Sequence, residues 1–367
     1  MDKITQNQLG STMILFLIGS SSLFLLAGDA ERDAWIAVLV GAAAGFALFS
    51  LVTLSLHKSF PQFNLVQLLT GQFGRPIGIA LSYAYILYFC YKSIRNVREF
   101  ADLTVMYLLP RTPLVIIVLI ICLLAAYVVH KGIFVYFSMA EAILPFVIAM
   151  YGLLFFLIAV SGLLRYENVF PILENGIKPV LKAALPELIS FPFGELVLFL
   201  MFFNFSEQKG KAAAGLSMQV YLFCGLFIAF ANLLLVAGMG KLGSATTMPF
   251  MQMATLIEIA GLQRIDPFVA ILLFTGVFFK LTAYYLGAVL ALSYLFGVKH
   301  TAAIWPVGTV LFTGSMLFAS YMEQVWFGFK LNLNYHFPVF QIVLPVLLLL
   351  VLRLRQGWSK KVKQNDG

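Results

Sequence analysis

With 61% apolar and 11% charged residues over 367 positions and a mean hydropathy of +0.95, the chain lies outside the roughly 45–50% apolar, 25% charged range of soluble domains. Its apolar runs of about 20 residues are dense in Leu, Phe, Ile and Ala and lack period-2 alternation, which specifies membrane-crossing helices and argues against a β-barrel. The net charge of +8 would suggest nucleic acid in a soluble protein, but here it concerns the two faces of a bilayer, and no nucleic-acid partner is expected.

The opening segment Met1–Gly10 carries a single basic residue, Lys3, and no clear small-residue cleavage site follows the first apolar run. It is therefore taken as a retained first span. Ten spans are predicted at 11–27, 34–56, 78–108, 113–130, 137–162, 187–205, 214–238, 266–296, 302–322 and 336–354. They form one transmembrane domain over 1–367, with a first repeat at 11–162, a second at 187–354 and a basic tail at 355–367. An even number of spans puts both termini on one side. That side holds 12 Lys and Arg in its loops and tails against 8 on the other, so the positive-inside rule makes it cytoplasmic. Anionic lipid headgroups then attract this basic surface.

The third span, at about 31 residues, outruns a hydrocarbon core of about 30 Å at 1.5 Å per residue and should tilt or project. Its outer half carries Lys92, Arg95, Arg98, Glu99 and Asp102, with Arg95–Glu99 and Arg98–Asp102 each four residues apart. Such charges pair along one helix face. Two readings follow: a self-neutralised stripe packed on neighbouring helices or a partner protein, and a path for a ligand or ion. The long outer segments 163–186 and 241–267 contain amphipathic stretches such as Phe250–Ile259, expected to lie over the external mouth as short interfacial helices, with plain linker as the alternative.

Two spans carry helix-opening sequences. The first contains Gly19-Ser20-Ser21-Ser22, whose small polar residues serve either close helix packing or an opened backbone. The sixth contains Pro192-Phe193-Gly194-Glu195, where a proline, a glycine and a carboxylate meet at bilayer depth. These are corresponding places in two five-span halves of opposite orientation, the pattern of an inverted repeat. Half-helices beginning at the midplane aim free amides at its centre, where they attract a carboxylate, while the opposing carbonyls suit an ammonium. Together they describe a zwitterion site for a free amino acid.

In that site the amides hold the ligand carboxylate, and Glu195 is either a helix cap or structural hydrogen-bond acceptor, or a contact for the ligand ammonium or a proton. Phe199 and Thr282 complete the candidate ligand-binding set. Glu141 in the fifth span and Lys280 in the eighth are single intramembrane charges, which find each other or a cavity. Lys280 is expected near the inner part of the first span as a built-in cation neutralised by Glu141, so that no bound sodium is needed. Cys90, Cys122 and Cys224 stand at unrelated spacings within spans, and the four histidines at span ends; neither set has metal-ligand spacing. No nucleophile–base pair, P-loop or dinucleotide fingerprint occurs, so neither an enzyme nor a cofactor is expected.

Several segments resemble a family. Ile4-Thr5-Gln6 followed by Ile18-Gly19-Ser20, then Asp33-Ala34-Trp35-Ile36, then Phe191-Pro192-Phe193-Gly194-Glu195 are similar to the B subunits of bacterial spore germinant receptors, the GerAB type, within the amino acid–polyamine–organocation superfamily. The resemblance extends over essentially the whole chain. It implies a ten-helix inverted-repeat fold with helices one and six broken, and a ligand-sensing role in the spore inner membrane beside an A subunit and a lipoprotein C subunit. An amino acid transporter of the same superfamily is the alternative. Ser20, Ser21 and Ser22 replace the glycine-containing run common at the first break in transporters of the superfamily.

Overall fold

A segment that crosses hydrocarbon must satisfy its backbone groups internally, and the apolar runs do so as helices. The computed structural model describes residues 3–243, 246, 248–257 and 265–365. Among the described residues no strand forms beyond an isolated bridge between Ile4 and Ser206.

Helix α1 is Gln6–Ile18, started by a capping box between Thr5 and Gln8 and followed by a single 3₁₀ turn at Ser21–Leu23. Then come α2, Gly28–Ser59, with a π-helical stretch at Phe49–Thr53; α3, Leu65–Phe73; and α4, Arg75–Tyr107. Next, α5, Leu114–Lys131, turns into α6, Ile133–Val160, through Gly132 at φ +97°, a backbone conformation that a side chain would strain. Short α7, Ile177–Ala184, precedes one helical turn at Glu187–Ser190 and a 3₁₀ segment at Phe193–Met201. The remainder comprises α8, Lys211–Met239; α9, Pro249–Thr255; α10, Asp266–Phe296; α11, His300–Met316; and α12, Tyr321–Arg355, which is π-helical over Phe327–His336.

Eight helical stretches among the described residues are long and apolar enough to cross a membrane: α2, α4, α5, α6, Ile177–Met201, α8, α10 and α12. Ten spans are expected from sequence. The shortfall lies in α1 and α11, whose 13 and 17 residues rise about 20 and 25 Å against a core of about 30 Å. The 33-residue α4 is longer than a straight crossing needs, in keeping with the expected overrun. Helix α3 falls in a stretch expected to be a loop; its signal was the Asn64-x-x-Gln67 capping box, which forms in full. Both long outer segments carry short helices. In α7, Val180, Ala183 and Ala184 are buried while Lys178 and Lys182 are exposed. Helix α9 covers the start of the Phe250–Ile259 stretch, and Glu258 and Ile259 lie outside the described residues.

The centre of the bundle is α10, with 78% of its apolar window buried against 28% for α6. It runs along α4 and also packs against α1, which in turn lies on α6 and α8. Gly19 and Gly276 meet backbone to backbone: a Cβ built on either would overlap the other's main chain. This contact presses the end of α1 directly onto α10.

Candidate functional site

The site is built from three elements. On α4, Lys92, Arg95 and Glu99 are spaced i, i+3, i+7 and share a face. The 3₁₀ segment turns Glu195 inward, and the middle of α10 supplies Lys280. Glu195 bridges both ammonium groups: one carboxylate oxygen contacts Lys92 Nζ, and the other lies 2.6 Å from Lys280 Nζ. The three side chains are 1%, 4% and 1% exposed for Glu195, Lys92 and Lys280. Charges this deep must be paired, since an uncompensated ion in low dielectric is strongly destabilising. Aromatic rings supply further compensation: Lys92 Nζ sits 4.0 Å from the Phe337 ring centroid, and Lys280 Nζ 4.4 Å from Phe191 and 5.5 Å from Phe16.

A cavity of about 390 Å³ opens from this triad. Lys92, Arg95, Glu99 and Glu195 form its charged wall, and Phe24, Leu25, Leu333 and Phe337 much of its apolar wall. The charged stripe of α4 divides accordingly. Its outer members fasten helices: Arg98 pairs with Asp102 at 2.7 Å and donates to the Ser315 carbonyl at 3.2 Å. Arg95 exchanges hydrogen bonds with Gln324 of α12, receiving at its carbonyl from Gln324 Nε2 at 3.2 Å, and its guanidinium rests on Gly328. Lys92 at the inner end enters the triad. The reading of the stripe as charges packed on neighbouring helices thus describes its outer members.

The chain matches, over residues 3–324, the family model described as "Spore germination protein". It belongs to that family. It is 30% identical to Spore germination protein KB of Bacillus subtilis (strain 168), the alignment covering 99% of this chain and 97% of that protein. Spore germination protein YndE of the same organism is 23% identical, with 98% of each chain covered, and Spore germination protein B2 is 23% identical, with 80% covered. With its helical composition, this makes the chain an integral membrane protein of spore germination.

The structure redistributes the residues singled out from sequence. The serine run closes on itself: Ser21 donates to the Leu17 carbonyl, and Ser22 contacts the Ile18 carbonyl at 2.6 Å and the Tyr151 hydroxyl at 2.7 Å. Tyr151 Oη also lies 3.3 Å from the carbonyl oxygens of Ile18 and Gly19. Of the carbonyls expected to receive a ligand ammonium, those of Leu17, Ile18 and Gly19 at the end of α1 are therefore met from within the protein, a correction to that part of the zwitterion site. Ser20 is buried beside them. Phe193, after Pro192, turns toward Tyr221, 5.3 Å between ring centroids. A Cβ added at Gly194 would overlap the Ile189 carbonyl oxygen at 2.5 Å and come 3.0 Å from Gln341 Oε1 of α12, so its missing side chain lets the chain turn back against the preceding helical turn. Phe199 packs on Phe16 at 5.4 Å. Thr282 is fully buried on α10.

Among the ligand-binding residues expected from sequence, Glu195 is the one that lines the cavity. Of the two structural roles expected for it, the cap is corrected, since no side-chain cap is made at the 3₁₀ start, whereas as an acceptor its oxygens go to two lysines. Glu141 is likewise corrected: it is half-buried on α6, while Lys280 pairs with Glu195. The residue that sequence reasoning undervalued is Lys92. Its signal was periodic, since positions 92, 95, 99 and 102 fall on one face, so the first charge of the stripe lies closest to the midplane.

Proposed function

We propose that the chain is the ligand-sensing membrane subunit of a spore germinant receptor and that its cavity takes a small germinant, an amino acid. The observation carrying this reading is the Lys92–Glu195–Lys280 triad: three charges held inside an apolar bundle, two of which, Lys92 and Glu195, stand at the wall of a cavity of ligand size. Intramembrane ionisable residues are functional candidates because their burial is costly. The fold reading supporting this role is a ten-span, five-plus-five inverted repeat with interruptions after Ile18 and around Phe191–Phe193, both termini cytoplasmic in the spore inner membrane. An A subunit and a lipoprotein C subunit are the proposed partners.

Sensing requires that the germinant bind one conformation better than another. The triad joins α4, the 3₁₀ segment and α10, so a ligand competing for one of its charges changes the contacts among all three. Spores carrying the chain with its partner subunits test this: Lys92→Met should shift the germinant dose-response by at least about tenfold, the scale of one charge-assisted contact. An unchanged dose-response, with the protein present at normal level, would remove the cavity from the germinant pathway. Because buried ionisable groups beside a cavity also suit proton-coupled amino acid transport, uptake into liposomes by the chain alone is the companion measurement; concentrative uptake would establish that second reading.

A further inference from the structure

The charged wall of the cavity is itself balanced, Lys92 and Arg95 against Glu99 and Glu195, but a third cation, Lys280, stands on the same carboxylate. Lys92, Lys280 and Arg95 stand against Glu195 and Glu99, a surplus of one positive charge among the described residues. Arg95 and Glu99 stand four residues apart on α4 and offset each other, so the surplus falls on the two lysines that share the one carboxylate of Glu195. Of the two lysines on Glu195, Lys92 lines the cavity while Lys280 lies behind it, against Phe16 and Phe191. The accessible share of the surplus is therefore the Lys92 ammonium.

We propose that the cavity selects an organic monocarboxylate with an apolar body, held by its carboxylate on Lys92, and that a ligand ammonium group is dispensable. The proposal rests on the reading that this cavity is the germinant site and narrows the ligand class it takes. The placement of the acidic groups carries the second half of the statement. Glu99 is seven residues beyond Lys92, about 10 Å along the helix axis, whereas an α-ammonium sits one carbon from the carboxylate it accompanies. Glu195 is nearer but is already shared by two lysines. The carbonyls at the end of α1 are met by Ser21, Ser22 and Tyr151. Phe24, Leu25, Leu333 and Phe337 then face the rest of the ligand, where an apolar body gains by leaving water.

The test uses the intact chain in detergent micelles and the shift of its thermal unfolding midpoint with three matched sets of probes: alanine, propanoate and ethylamine; leucine, 4-methylpentanoate and isopentylamine; phenylalanine, 3-phenylpropanoate and phenethylamine. In at least one set the amino acid and the plain carboxylate should bind within about threefold of each other, while the amine binds about tenfold or more weakly, as expected for loss of a charge-assisted contact. Lys92→Met should remove the carboxylate shifts and Lys92→Arg should keep them. Stronger binding of an amine, binding of amino acids without their des-amino partners, or no carboxylate binding at millimolar concentration overturns the proposal. The wild-type probe series decides even where Lys92→Met fails to fold. If spore responses depend on Lys92 while the amines bind best, the ligand class is wrong and the site stands; if the spore response ignores Lys92, the site itself is wrong.

Discussion

The end of α1 and the stretch Phe191–Glu195, read from the sequence as a matched pair of helix breaks, are built in opposite ways. At Gly19–Ser22 the interruption is neutral and self-contained: serine hydroxyls and Tyr151 meet the freed carbonyls, and Gly19 lies on Gly276. At Phe191–Glu195 it carries a carboxylate between two lysines and faces a cavity. The protein completes the first opening internally and leaves a charge beside open space at the second.

The strongest way to break this contrast is Glu195→Gln, which leaves two buried ammonium groups without their carboxylate. Loss of one partner of a buried ion pair is worth about 3–5 kcal/mol, so thermal unfolding in micelles should show a large drop in midpoint or loss of folded protein. Adding Lys280→Met should recover part of it, because the mutations share one network and are not additive. A Glu195→Gln protein as stable as the parent would contradict the triad.

Next in size is Gly276→Val, which attacks the neutral interruption. A side chain there meets the Gly19 backbone, and overpacking a tight contact costs about 1–3 kcal/mol. The same stability assay should register it, and Gly276→Ala should fall between. Smaller again are Ser22→Ala and Tyr151→Phe, each removing one partner at the α1 end for about 1 kcal/mol. The double variant should cost less than the sum, since the two hydroxyls share the Ile18 carbonyl.

The contrast also explains what was legible in the sequence. Membrane class, helical content and most span positions follow from the length and apolarity of the runs, and the predicted eighth span, 266–296, coincides with α10. The special character of Pro192–Glu195 was legible because a carboxylate and a proline are expensive at that depth. Partner choice was not. Glu195 and Lys92 lie 103 positions apart, and the sequence holds Glu141 as an equally formal counter-ion for Lys280. Helix spacing says which charges share a face of one helix; it does not say how one helix is rotated against another. The serine run was ambiguous for a related reason, because Tyr151 comes from α6, and no local pattern predicts that its hydroxyl will close the α1 end.

The smallest expected effect separates the two carboxylates most directly. Glu141 is half-buried on α6, which with α12 is the least enclosed of the eight candidate spans among the described residues, whereas Glu195 is enclosed and doubly paired. If Glu141 were the counter-ion of Lys280, its neutralisation would strand a buried charge and match the loss from Glu195→Gln. With Glu195 in that role, Glu141→Gln changes a group outside the network and should leave stability within about 0.5 kcal/mol, the range of substitutions away from special features. Measuring both variants side by side in the same micelles checks the assignment, because equal losses would return Lys280 to Glu141 and dissolve the difference between the two interruptions.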